Sequence, residues 1–249
     1  MQEKDNKNHE IIWSREKVKR LWDFYGVNLL RSQYFSFHSG RYILDYISHY
    51  VKLDGLKSIL DFGCGPGYLL EQLVKMMVSG KCYGLDFSKA SIGEINKKLR
   101  NVPNFGGAIY IDKLPSSFEN NSMDMVISVE VIEHLDDMQL LDMLKEIYRV
   151  LKPNGYVVIT TPNKEDLGAN RTVCPECGCI FHRWQHVRSW NISMLKEIMT
   201  KHGFKVFHAN ETHFNLSFKV LRSILDRIKI MWEQDSKRNK PHLIFIGKK

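Results

Sequence analysis

A chain of 249 residues, 43% hydrophobic and 26% charged, has the balance of an ordinary folded protein and the length of one large domain, or of one domain with a small insertion. No apolar run approaches the roughly 18 residues that a membrane span requires, so no transmembrane segment is expected. The net charge of +8 is uneven, with nine Lys or Arg against three Asp or Glu between Ser217 and Lys249. Such a surplus fits a nucleic acid, an anionic membrane surface or an acidic substrate, and equally a solvated face with no partner. The opening MQEKDNKNHE resembles neither a secretory signal nor a transit peptide, so the expected location is cytoplasmic. Five cysteines, three of them at Cys174, Cys177 and Cys179, suit a metal site better than a disulfide framework in that setting.

Apolar residues at Val18, Leu21, Trp22, Tyr25 and Leu29 predict an amphipathic helix over Ser14 to Leu30. A second helix is expected from Ser39, a good N-cap, with Ile43, Tyr46, Ile47, Tyr50 and Val51 on one face. The aromatic stretch between them reads as a loop. Strands and helices then alternate: strand Ser58–Phe62, helix Tyr68–Met77, strand Cys82–Leu85, helix Ala90–Arg100 and strands Ala108–Ile111 and Met125–Val129. A helix from about Asp137 to Leu151 stops at Pro153, and strands follow at Tyr156–Thr161, Phe204–Ala209 and His242–Ile246. This alternation implies a doubly wound α/β fold, a largely parallel sheet covered on both faces. Residues 1–52 are expected to form an N-terminal helical cap or substrate lid, and residues 53–249 the main domain. Two insertions interrupt that domain, a Cys/His segment at 163–190 and a helical one at 214–236. The second contains Leu216–Trp232, a helix able to pack on the sheet, cover substrate or touch a membrane.

The most informative segment is Asp61-Phe62-Gly63-Cys64-Gly65-Pro66-Gly67. A strand ends there in a turn whose glycines allow a ligand close to the backbone, at the strand end where open parallel sheets bind ligands. Tyr68 replaces the third glycine of a dinucleotide loop, and no Lys-Ser or Lys-Thr follows to make a phosphate loop. The acid at Asp61 disfavours a phosphate and suits a cationic ligand such as an aminated sulfonium. Asp86, closing the next strand, is placed to accept both hydroxyls of a ribose. Here the chain resembles the class I S-adenosylmethionine-dependent methyltransferases, in the first motif at Asp61 to Gly67, in Asp86, and in the helix and turn Ile147 to Gly155. The resemblance covers roughly Gly40 to Ala209. It implies a seven-stranded sheet with an antiparallel last strand, and S-adenosylmethionine lying across Gly63, Gly65 and Asp86. Asp61, Cys64, Gly67, Phe87 and Val129 complete the expected cofactor site, with Asp112 as the candidate for the adenine amine.

Glu130, Glu133 and His134, at i, i+3 and i+4, are expected to share one face of a helical turn beside the cofactor's methyl group. Two readings stand. His134 is a general base toward an acceptor hydroxyl, or the three residues bind a divalent ion that lowers the acceptor's pKa. The metal version resembles the small-RNA 2′-O-methyltransferases and the ubiquinone-pathway O-methyltransferases, and the RNA enzymes add a histidine for which His182 or His186 is the candidate. The second cluster, C-x2-C-x4-H-x3-H over Cys174, Cys177, His182 and His186, suits a structural tetrahedral zinc. If His186 joins the first cluster, the zinc needs Cys179 or a water instead. Arg41, His38, Arg183, His186 and Arg188 are expected to roof the acceptor pocket, which suits a small, sugar-nucleotide or glycan-type acceptor. An RNA acceptor and an inactive cofactor-binding interaction protein are the alternatives. The oligomeric state is not legible in the sequence.

Overall fold

The computed structural model describes residues 8–27, 33–77, 79–214 and 240–249. A two-residue strand β1 (His9–Glu10) leads into helices α1 (Arg15–Val27) and α2 (Phe35–Tyr50). The alternation then runs β2 (Ser58–Phe62), α3 (Tyr68–Met76), β3 (Lys81–Asp86), α4 (Lys89–Leu99), β4 (Phe105–Tyr110) and β5 (Met123–Val129). It continues through α5 (Asp137–Val150) and β6 (Leu151–Pro162) into the small strands β7 (Arg171–Val173) and β8 (Cys179–His182). Helix α6 (Ile192–Lys201) and strands β9 (Lys205–Thr212) and β10 (His242–Lys248) follow.

The main sheet has the order β4-β3-β2-β5-β6-β10-β9. The first five strands are parallel, and β10 runs antiparallel to both β6 and β9. The fold is therefore a doubly wound α/β domain with one reversed strand. Alternation along the strands feeds two apolar layers. Ile59, Ile127, Val158, Ile244 and Ile246 pack with α2, α3 and α4, while Leu60, Val126, Val157, Leu243 and Phe245 pack with α5 and α6. Truncating a fully buried residue such as Phe245 costs about 3–5 kcal/mol, enough to unfold a marginal domain. No helix among the described residues is long and apolar enough to cross a membrane.

Two elements differ from expectation for identifiable reasons. Helix α2 starts at Phe35, not Ser39, and its N-cap Tyr34 makes no side-chain cap bond. Phe35 stacks on His242 at 4.2 Å and meets Phe214 at 6.0 Å, so tertiary packing extends the helix past the better cap. Strand β6 begins at Leu151, and the turn at Asn154 (φ 63°) lies inside it as a bulge that steps the register from Leu151 to Tyr156. Helix α5 is fixed by a capping box that the sequence reading missed: Asp136 accepts from Gln139 N–H, and the Gln139 side chain accepts from Asp136 N–H. The expected helix Leu216–Trp232 lies outside the described residues. The insertion at 163–190 is closed by a bridge between Asn163 and Trp190. Its β7 and β8 join β1 in a second, three-stranded sheet of order β1-β8-β7.

Candidate cofactor and acceptor site

The turn after β2 carries positive φ at Gly63 (77°) and Gly67 (85°), which L side chains rarely adopt. A Cβ at Gly63 would lie 2.5 Å from Val131 Cγ2, and one at Gly67 would lie 2.2 Å from Ile95 Cδ1. Only glycine brings this turn so close to both neighbours. Leu85 O accepts from Gly63 N–H and Cys64 N–H at 2.7 and 3.1 Å, which pins the turn to the end of β3. Asp86 is buried, and its oxygens accept from Gly65 N–H (2.8 Å) and Ser88 N–H (2.7 Å). Each oxygen keeps acceptor capacity for a further donor. Burial, opposed by these amides, pushes the Asp86 carboxyl up to about 6. Asp61 is 2% exposed, and its Oδ2 has no hydrogen-bond partner. Burial and the neighbouring Asp86 charge raise it well above the usual carboxylate range.

A cavity of about 410 Å³ opens from this turn. Of the expected cofactor residues, Gly63, Cys64, Gly65, Asp86, Phe87, Asp112 and Val129 line it, whereas Asp61 and Gly67 do not. Asp112 sits at its exposed rim, 3.7 Å from Arg15. The far wall comes from α1 and the insertion. Trp22 donates from Nε1 to Gln185 Oε1 at 3.0 Å and meets the His134 ring edge-on at 4.9 Å. Tyr25 packs on Trp184 at 5.3 Å, and Tyr34 packs on Trp22 at 5.9 Å. The sequence reading missed this aromatic wall, although Trp22 and Tyr25 lie on the predicted amphipathic face of α1. The expected cationic roof is corrected: of its five members only His186 lines the cavity. Arg41 pairs with Asp45, Arg188 with Asp137, and the Arg183 guanidinium stacks on Trp184. The cavity's cations are Arg15, Lys19 and Lys113 instead.

The expected Glu130–Glu133–His134 face is also corrected. Glu130 adopts φ 52°, and a 3₁₀ turn begins only at Ile132, so no continuous helical face joins the three. Glu130 turns to Thr160, whose Oγ1 donates to Oε1 at 2.9 Å, and to His242, 3.4 Å from Oε2. Glu133 and His134 gather with His186 instead, their ligand atoms all within 4.8 Å of one another. Glu133 is 1% exposed; its Oε2 accepts from Thr161 Oγ1 at 2.9 Å, and its Oε1 has no hydrogen-bond partner. Burial and the Glu130 charge push Glu133 well up, while burial and the adjacent His186 depress His134 to about 3. The imidazole of His134 is therefore neutral at physiological pH, with its lone pair available.

The four expected zinc ligands are not brought together. Strand β8 carries His182 three residues, about 10 Å, beyond Cys179. His182 and His186 gather with Glu165, a residue the sequence reading did not single out, again within 4.8 Å. Glu165 contacts His186 Nδ1 and lies 3.5 Å from His182 Nε2. The His186 N–H donates to His182 Nδ1 at 3.1 Å, which leaves the His182 proton on Nε2, facing that carboxylate. Burial and His186 lower the His182 pKa.

A glycine turn and a ribose-type acid at adjacent parallel strand ends describe an α/β domain suited to a nucleoside-bearing cofactor. Residues 32–209 match the model of a methyltransferase-domain family, and the chain belongs to that family. It is 29% identical over 150 residues to a probable S-adenosylmethionine-dependent methyltransferase of Mycolicibacterium smegmatis, covering 60% of this chain and 52% of that protein. It is 34% identical over 126 residues to a mitochondrial ubiquinone biosynthesis O-methyltransferase of Dictyostelium discoideum, covering 46% and 38%. The chain thus spans about half the length, or less, of these curated relatives. A solved S-adenosylmethionine-dependent methyltransferase from Aquifex aeolicus shares the fold at 18% identity with a TM-score of 0.58, over 95% of this chain and 99% of that one.

Proposed function

We propose that this chain is an S-adenosylmethionine-dependent O-methyltransferase acting on a small, ring-bearing hydroxylated acceptor. The observation that carries the reading is one continuous cavity, which runs from Gly63, Gly65 and Asp86 at one end to Glu133, His134 and His186 at the other. The residues fit the cofactor. Asp86 keeps acceptor capacity for a ribose, and the unpartnered Oδ2 of buried Asp61 suits a cationic amine near the turn. S-adenosylmethionine, when bound, supplies a methyl group activated by its sulfonium. The family of the chain and the names of its relatives support methyl transfer, and the relatives named as O-methyltransferases support an oxygen acceptor.

Trp22, Tyr25, Tyr34 and Trp184 form apolar walls that exclude water and hold a flat ring by stacking and edge contacts. This favours a small ring-bearing acceptor over a charged glycan or an RNA end. Glu133, His134 and His186 would face the acceptor hydroxyl. Two imidazoles and a carboxyl group with an unpartnered oxygen form a donor set suited to a divalent ion, which would lower the hydroxyl pKa. That is the second reading of the expected acid–base cluster, with Glu130 replaced by His186. Glu165, bonded to His186 Nδ1, would set the tautomer that leaves Nε2 bare.

The test is transfer of labelled methyl from S-adenosylmethionine to a panel of phenols, catechols, sugar nucleotides and short RNAs, with Mg²⁺, Mn²⁺ or EDTA. Transfer to phenolic or catechol oxygen that EDTA abolishes is the expected result. Cofactor binding with no transfer across the panel would contradict the reading and support an inactive binding protein.

A further inference from the structure

The three clustered cysteines are left without a role by the His–Glu site, and the small sheet gives them one. In the order β1-β8-β7, His9 is in register with Cys179, and Cys174 N–H donates to Cys179 O at 2.8 Å. Residues in register on neighbouring strands share a face, and successive residues alternate. His9, Cys179 and Cys174 therefore lie side by side on one face, at the turn end of the sheet. Other contacts obey the same parity. Phe181, two residues from Cys179, meets Trp13 at 6.1 Å on this face, while Glu10 pairs with Arg171 on the other.

The turn itself is shaped for sulfur ligation. Gly178 adopts φ 71°, and its N–H donates to Cys174 O at 2.9 Å, closing a tight loop that holds Cys177 over the strand ends. As placed, no three of His9, Cys174, Cys177 and Cys179 bring their ligand atoms within 4.8 Å of one another, so a bound ion would draw these neighbouring side chains together by rotamer changes. All three cysteines are free, and His182 lies on the opposite face of β8. The same strand that separates the histidines from the cysteines also brings in His9 as a replacement ligand.

We propose that Cys174, Cys177, Cys179 and His9 form a structural zinc site, distinct from the Glu133–His134–His186 cluster. Three thiolates and one imidazole fill a tetrahedral shell and leave no open position, so the ion is a staple and not a catalyst. The staple ties β1 to the insertion. Because β1 leads directly into α1, it also fixes the helix that carries Trp22 and Tyr25 to the cavity wall. The inference does not depend on the identity of the acceptor or on methyl transfer.

The experiment is metal analysis of tag-free full-length protein purified under reducing conditions, followed by exchange of the bound ion for Co²⁺. The expected result is one zinc per chain, and a cobalt derivative with tetrahedral d–d bands and a thiolate-to-cobalt charge-transfer band. Cys174→Ser and Cys177→Ser should each weaken that band by about a third, or lose it with the ion. His9→Ala should shift the d–d bands and speed loss of the ion to a chelator. His182→Ala should keep the thiolate band unchanged, because it lies outside the set. Wild-type protein without zinc and without a thiolate–cobalt band would overturn the site. So would loss of the band in His182→Ala combined with an undiminished band in Cys179→Ser and unshifted d–d bands in His9→Ala. The spectrum of the wild-type cobalt protein decides the thiolate count even where a cysteine variant fails to fold.

Discussion

The glycine turn at Gly63–Gly67 and the insertion at 163–190 face each other across one cavity, yet they are specified in opposite ways. The turn is local. A strand, three glycines and a helix start within a few residues, and its two partners, Leu85 O and Asp86, come from the adjacent strand. The insertion is non-local. His186 reaches Glu133 and His134 across more than fifty positions of sequence, and Trp22 reaches Gln185 across 163. Sequence spacing describes the first well, and it misleads in the second wherever a strand intervenes between candidate ligands.

The largest expected effect is on the non-local side. His134→Ala or His186→Ala should lower turnover by roughly 10²–10⁴-fold while cofactor affinity, read by calorimetry, stays near wild type. Equal losses in both quantities would erase the division between the two regions. Asp86→Ala probes the local side: losing two charge-assisted hydrogen bonds to a ribose costs about 3 kcal/mol or more, roughly a hundredfold in S-adenosylmethionine affinity. Circular dichroism should report an unchanged fold, and unchanged affinity would refute the ribose placement. Trp22→Ala should raise KM for the acceptor about tenfold and leave cofactor affinity alone, since it removes a wall and a hydrogen bond to Gln185. A change in cofactor affinity alone would move Trp22 to the cofactor end.

The smallest effect is on pH dependence. With the Asp86 carboxyl at about 6, cofactor affinity should fall roughly fourfold between pH 7 and pH 5.5 as the acceptor oxygens protonate. Stability of the ligand-free fold moves the other way. A buried acid whose pKa is raised on folding binds its proton more tightly in the native state, so this group adds stability as pH falls from about 6 toward the ordinary carboxylate range. Calorimetric titrations and melting curves across that window check the two opposite signs.

The contrast also shows why some of the molecule was legible in its sequence. The strand–helix alternation, the glycine turn and the acid at the end of β3 are written in short-range patterns, and the structure places the elements within a few residues of expectation. Phe35 overrode the cap at Ser39 because its partners, Phe214 and His242, lie far along the chain. Glu130 left the expected Glu-x-x-Glu-His face because a positive φ at that residue breaks the helical register. Cys174 and Cys177 parted from His182 because x4 in the motif proved to be strand and not turn. Glu165 and His9 carried no spacing signal, and Trp22 and Tyr25 carried only that of an amphipathic helix face. A carboxylate in a histidine-rich insertion was the one hint.

The central claim is that a single cavity holds the cofactor on the glycine turn and presents its methyl group to Glu133, His134 and His186. A crystal structure of the protein with S-adenosylhomocysteine and Mn²⁺ tests it most directly. The ribose is expected on Asp86, the thioether sulfur facing the Glu–His cluster, and manganese among those three side chains. A nucleoside bound away from Asp86, or a sulfur directed away from the cluster, would contradict it.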